Sequence, residues 1–407
     1  MSATPRRHDI DALRVLAFGL LILYHLSMLY VADWGFHLKS SHTAEWLQYP
    51  MLFLNRWRME LLFLISGLAV HFLRGKTSLP RLAWKRTVRL VLPLLFGMAV
   101  VVPIQPYVQG LSNGLVQPGF GAFLLRYWSG GPWPAHAFDG WEYGVTWNHL
   151  WYLAYLWNYT LVLLMLLPVL ESPIGRRIRA RVEALHGPAL LVLPAIPLFV
   201  AGMLLAHRYP MTHALLNDWY AHALYGTIFF YGYLLGTGSR LWGELARLRH
   251  YTLGTALVSF VVFIGLDRFG DVLLGHAPNA LDQAIGMPLI MAAQFLYMWT
   301  AIAAVLGWGH AYLNRPFRWL PYAREAVYPW YILHQSVMLA LAWWLMPLGL
   351  GAVGEPLAIL LGTIAGCAAS HEIIRRTPWL RPLFGLDARQ RSATAHRVLP
   401  RLADDLT

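Results

Sequence analysis

Two ionisable residues in the first apolar stretch pose the chemical question. In DIDALRVLAFGLLILYHL, Arg14 and His25 are eleven positions apart, and eleven helical steps of about 100° return to nearly the same face. A rise of about 1.5 Å per residue carries His25 ~16 Å beyond Arg14 along the axis. Arg14 then sits near one edge of a bilayer and His25 near mid-depth, on a stripe joining two aqueous compartments. An ionisable group at that depth costs about 2.5–3.5 kcal/mol on insertion scales, so it calls for a partner or a function. A neutral imidazole there can take the proton of an acceptor hydroxyl as general base, or form a transient acyl-histidine. The plain alternative is a buried histidine hydrogen-bonded between helices.

Three further constellations pass the same filter. In RWRMELLFLISGLAVHFLRGK, Glu60, Leu64, Gly67 and His71 share one helix face, and Gly67 permits a neighbouring backbone or ligand to approach closely. Arg56, four residues before Glu60, offers a local ion pair as the bland explanation. A basic run of Arg81, Lys85, Arg86 and Arg89 precedes Pro93. Such a run can hold the phosphates of a nucleotide-like carrier, although topology alone also places cations there. Finally, TWNHLWYLAYLW sets His149 at an outer helix end, and AREAVYPWYILHQSV sets His334 about eight residues into an apolar helix. Trp151 and Tyr152, together with Trp141 and Glu60, are the side chains placed to meet an acceptor. Anchoring at the headgroup level is the ordinary explanation for the three aromatics.

The elements that must position these groups are transmembrane helices. The chain has 407 residues, 57% hydrophobic and 13% charged, whereas a soluble domain is nearer ~25% charged. Apolar stretches recur at 10–31, 51–73, 87–105, 148–170, 189–206, 221–239, 251–267, 284–308, 326–346 and 354–374, which predicts an all-α polytopic fold of about ten spans. The first run is longer than a signal-peptide core and is expected to remain as a span. One transmembrane domain is expected over 1–375, with a basic cytoplasmic tail over 376–407.

Orientation follows from the cations. The net charge of +12 does not indicate nucleic acid, because the basic residues cluster between apolar spans. With both termini in the cytoplasm, 26 of the 32 Lys and Arg fall inside, as the positive-inside rule requires. Cys367 alone supports neither a disulfide framework nor a cysteine metal cluster. The long outside segment Pro106 to Trp147 is aromatic and nearly uncharged. It reads as a lid or half-buried loop whose rings stack on sugars or anchor at the interface.

The order DALR then His25, RMELLFLISG, a basic run before Pro93, HLWYL and YPWYILH resembles the acyltransferase-3 type of bacterial membrane acyltransferases over nearly the whole chain. HLWYL and RWRMELLFLISG look most like the branch that includes the osmoregulated periplasmic glucan succinyltransferase. The resemblance implies a roughly ten-helix protein of the bacterial inner membrane and a cytoplasmic acyl-CoA donor, succinyl-CoA or acetyl-CoA. Delivery is then to a periplasmic glucan or another extracytoplasmic glycan. It also implies essential roles for an arginine and a histidine at the spacing of Arg14 and His25. Two departures, Leu62 before Phe63 and RLAWKRTVRLVLP in place of a plain double arginine, weaken any assignment of one acceptor.

The resulting expectation is an O-acyltransferase without metal or permanently bound cofactor. His25 is its base, and Arg14 orients the donor. Lys85, Arg86 and Arg89 meet the coenzyme, while His149 and His334 line the acceptor side. A dicarboxylate donor needs a further cation, for which Arg56 and Arg58 qualify only if they turn inward. Two rivals remain: a transporter or flippase using the same residues as a relay, and a lipid-linked glycosyltransferase, for which the outside carboxylates are too scattered. Oligomeric state is open, since lipid-facing and protein-facing apolar surfaces read alike.

Overall fold

The computed structural model describes residues 7–74, 77–236, 238–273 and 285–388. Among these the chain is all-α, with one isolated bridge between Val31 and Ala44 as its only extended pairing. Most of the expected basic tail, 389–407, lies outside the described residues, as do Arg6 and Lys76 of the inside clusters.

Each of the ten expected stretches meets a helix. They are α1 (His8–Met28), α2 (Gln48–Arg74), α3 (Leu79–Phe96) with α4 (Ile104–Ser112), α6 (Trp151–Glu171), α8 with α9 (Gly187–Val192, Ala195–Leu205), α10 (Trp219–Leu235), α12 (Arg249–Leu273), α13 (Met287–Tyr312), α14 (Leu320–Leu345) and α15 (Gly351–Arg376). Short helices α5 (Phe120–Trp128), α7 (Pro173–Glu183), α11 (Ser239–Arg247) and α16 (Leu380–Leu383) lie between or after them. Seven of the helical segments are long and apolar enough to cross a membrane, or eight if the pair bent by 41° at residues 102–103 is one broken span. Helix α2 falls outside that group because it carries Arg56, Arg58 and Glu60, and α10 because it has only 17 residues.

The basic run is not a loop before a helix. It lies within α3, which begins at Leu79 with a proline in its first turn. Arg and Lys are good helix formers, and Pro80 suits a helix start, so the helix extends well before the apolar stretch. Pro93 interrupts the hydrogen-bond ladder, and a five-residue π-turn, Gly97–Val101, follows. Pro103 then caps α4, and the two prolines account for the bend.

Helix α2 packs along α10 through glycine. A Cβ on Gly67 would strike the Phe229 carbonyl, and one on Gly232 the Leu64 carbonyl. Backbone, rather than ligand, therefore occupies the space that Gly67 leaves. Gly67→Ala is expected to destabilise the purified protein by about 1–3 kcal/mol, because the atom met is rigid backbone. Gly19→Ala, which meets nothing within 4 Å, is expected to leave melting unchanged. Equal melting of the two variants would refute the close-packed seam.

The outside segment builds its own small core from Phe123, Tyr127, Trp133, Ala137 and Phe138, with Tyr107, Val116, Trp141 and Val145 around it. Tyr127 donates to the Thr146 carbonyl at 2.9 Å and Trp133 to that of Gly144 at 2.9 Å. Most of these rings are thus spent on one another, while Trp128 and Tyr143 stay exposed. At the other end of the chain, residues after α15 return to the bundle: α16 packs on α3, and Phe384 meets Phe96 edge-on at 5.3 Å.

Candidate active site

Helices α1 and α14 lie side by side and bring together two of the expected histidines. His25 Nδ1 and His334 Nε2 are 2.8 Å apart, with rings 5.0 Å between centroids and only 13° from parallel. The proton positions follow from the partners. His334 Nδ1 faces the carbonyls of Trp330 and Tyr331 at 3.1 and 2.9 Å. A carbonyl only accepts, so His334 Nδ1 carries the hydrogen. Nε2 of a neutral His334 is then an acceptor, and His25 Nδ1–H donates to it. His25 Nε2 is left with a free lone pair, which is what a general base requires. Phe18 closes one side, its ring edge-on to His334 at 5.5 Å.

His149 is the third member of the cluster, its ring 5.2 Å from His334 and nearly perpendicular. Its Nε2 donates to the carbonyls of Tyr331 and Ile332, both at 3.1 Å, and Nδ1 accepts from Gln105 at 3.0 Å. Both nitrogens are engaged, and they tie the start of α6 to α14. Gln105 also donates to Ser336 at 2.7 Å and accepts from Asn148 and Gln335 at 3.0 and 3.1 Å. This neutral network holds α4, α6 and α14 in register behind the histidines. Sequence reasoning missed it, because a search for ionisable groups passes over amides and hydroxyls; Gln105, Gln335 and Ser336 in apolar helices were the available signal.

Arg14 stands on the same helix as His25, about three turns away, and is half-buried beside Asp11 at 3.6 Å. Its electrostatic neighbours include Tyr152, Arg89 and Arg324. Arg86 feels Arg14, Arg89, Tyr152 and Tyr328, and its Nε and Nη2 are buried without a partner. Of the basic run, Arg86 is therefore the member turned into the protein, whereas Lys85 is exposed. Arg89 is exposed near Asp387 at 3.5 Å. Tyr152 bridges to the ISG turn of helix α2, its hydroxyl 2.7 Å from Ser66 and donating to the Leu62 carbonyl at 3.1 Å.

The remaining expected site residues sit elsewhere. Trp151 stacks on His213 at 4.0 Å, and Trp141 packs against the core of the outside segment. Glu60 is 4% exposed, and neither its Oε2 nor Arg56 Nε has a partner, so the local ion pair does not satisfy them. Arg58 has turned inward: it is 1% exposed, and its Nε and Nη1 lack partners.

A helical bundle with a histidine on its first helix, a second histidine hydrogen-bonded behind it and a buried arginine on α3 agrees with the sequence comparison. Residues 7–371 match the acyltransferase-3 family, described as an acyltransferase domain, and the chain belongs to that family. It is a multi-pass membrane acyltransferase. The chain is 25% identical to the glucans biosynthesis protein C of Salmonella paratyphi A (strain ATCC 9150 / SARB42), over 93% of this chain and 94% of that protein. The proteins of the same name from Salmonella agona (strain SL483) and Salmonella enteritidis PT4 (strain P125109) match to the same extent. No solved structure matches.

Proposed function

We propose that this protein takes an acyl group, succinyl or acetyl, from acyl-CoA on the cytoplasmic side of the bacterial inner membrane and transfers it to a hydroxyl of a periplasmic glucan or related glycan. The observation that carries the reading is the 2.8 Å contact between His25 and His334, which leaves His25 Nε2 free to act. The acceptor hydroxyl gives its proton to Nε2 while its oxygen attacks the thioester carbonyl. As the carbon–sulfur bond breaks, the proton passes from Nε2 to the departing thiolate. The covalent variant, in which Nε2 itself takes the acyl group before the sugar does, uses the same atoms. It predicts an acyl-protein trapped by rapid quenching and lost in His25→Ala.

The donor end of the reading rests on Arg14 and Arg86. Two guanidiniums within electrostatic reach of each other, one with buried unpartnered nitrogens, suit phosphate or the polarised thioester oxygen. Lys85 and Arg89, exposed on the same helix, meet the outer phosphates. Both termini lie in the cytoplasm, in keeping with the cation count. The glucan acceptor follows the name borne by the relatives.

The test is mass spectrometry of periplasmic and surface glycans from cells with the protein, without it, and with the His25→Ala variant at matched expression. The expected result is loss of one acyl mass in both defective strains. Unchanged glycans in cells lacking the protein would overturn the reading, and uptake by proteoliposomes without any acyl donor would replace it with transport.

A further inference from the structure

Arg58 is a costly side chain to bury. It is 1% exposed, on a helix packed within the bundle, and Nε and Nη1 have no hydrogen-bond partner. A buried guanidinium is ordinarily paired, because desolvation costs several kcal/mol that only a partner offsets. Tyr24 supplies its ring face, 4.1 Å from the guanidinium carbon, but no hydrogen-bond acceptor for those two nitrogens. Glu60, Tyr24 and Tyr225 are its electrostatic neighbours. Arg56 also faces Glu60, so this stretch holds two guanidiniums for one carboxylate, and a positive charge is left over.

That surplus charge lies beside the reacting imidazole. Tyr24 is 5.7 Å from His25 between ring centroids, so the Arg58 guanidinium is no further from His25 than these two distances laid end to end. His25 and His334 both count Arg58 among their electrostatic neighbours. An extended four-carbon diacid separates its ends by roughly 5 Å, and a hydrogen bond at each end adds about 2.9 Å. The combined reach covers that upper bound.

We infer that Arg58 is the specificity residue of this site, holding the distal carboxylate of a short dicarboxylic acyl group such as succinyl while the thioester carbonyl lies against His25. This rests on the acyl-CoA donor reading and selects between its two acyl groups. In the free protein the guanidinium is held unpaired and preorganised, and the substrate supplies the missing anion. Acetyl has no such group, so it leaves Arg58 unpaired in the complex.

The test is binding of succinyl-CoA, acetyl-CoA and CoA to the detergent-purified full chain by calorimetry, repeated for Arg58→Gln and Arg58→Lys, with monodispersity and melting as fold controls. Succinyl-CoA is expected to bind wild type at least about tenfold more tightly than acetyl-CoA. Arg58→Gln is expected to abolish the preference without weakening acetyl-CoA, and Arg58→Lys to retain part of it. Arg58→Gln is also expected to melt higher than wild type without ligand, because an unpaired buried charge is removed. Equal binding of the two acyl-CoAs by wild type overturns the inference and leaves the donor reading standing. So does equal weakening of both by folded Arg58→Gln, which would make Arg58 a partner of the thioester oxygen. Binding of none of the three overturns the donor reading and the inference with it.

Discussion

His25→Gln is expected to lower acyl transfer by about 10²–10⁴-fold, measured as acyl-glucan formed per minute by purified protein in liposomes, with donor binding unchanged. Glutamine preserves most of the side-chain volume and can still donate one hydrogen bond to His334, so packing between α1 and α14 survives. What it lacks is the basic Nε2, and the proton of the attacking hydroxyl then has no acceptor. Because the loss falls on the chemical step, it appears in kcat while the donor KM stays near its original value. A fall in donor affinity with kcat intact would make His25 a binding residue and remove the base from the mechanism.

His334→Phe is expected to cost about 10²–10³-fold in the same assay, by a different route. His334 accepts from His25 Nδ1–H at 2.8 Å while its own Nδ1–H is held by the Trp330 and Tyr331 carbonyls. That chain holds His25 in the tautomer with its lone pair on Nε2. Phenylalanine keeps a ring beside Phe18, but it offers no acceptor, so the Nδ1–H tautomer loses its advantage and the ring its orientation. The logic is that of the residue behind the histidine in a serine protease, whose replacement by an amide costs about 10⁴-fold. His334→Gln, which can both accept from His25 and donate to the carbonyls, is expected to recover part of the rate. Full activity in His334→Phe would show that His25 orients itself.

The placement of Arg14 and His25 on one helix was legible without coordinates, because their spacing and their depth in an apolar stretch are properties of one helix. Partnership between helices was not. His334 stood out as an ionisable group in an apolar run, but nothing in YPWYILH says that its Nε2 meets His25 rather than lipid or water. Gln105, Asn148, Gln335 and Ser336 escaped for a related reason: neutral polar groups cost less in a bilayer than charges, so they carry a weaker signal. Arg58 was conditional on turning inward, and rotation of a helix about its own axis is decided by neighbours.

Hydrophobic runs, their lengths and the distribution of cations thus suffice for the helical class, the expected segments and the stripe from Arg14 to His25. Their physical basis is local: the thickness of a bilayer, the pitch of a helix and the cost of charge in hydrocarbon. Only the tertiary structure decided that Gly67 meets the Phe229 backbone, that Arg86 rather than Lys85 faces Arg14, and that α14 supplies the second histidine. Those choices depend on packing between helices distant in the chain, and residues facing lipid and residues facing another helix are alike in composition.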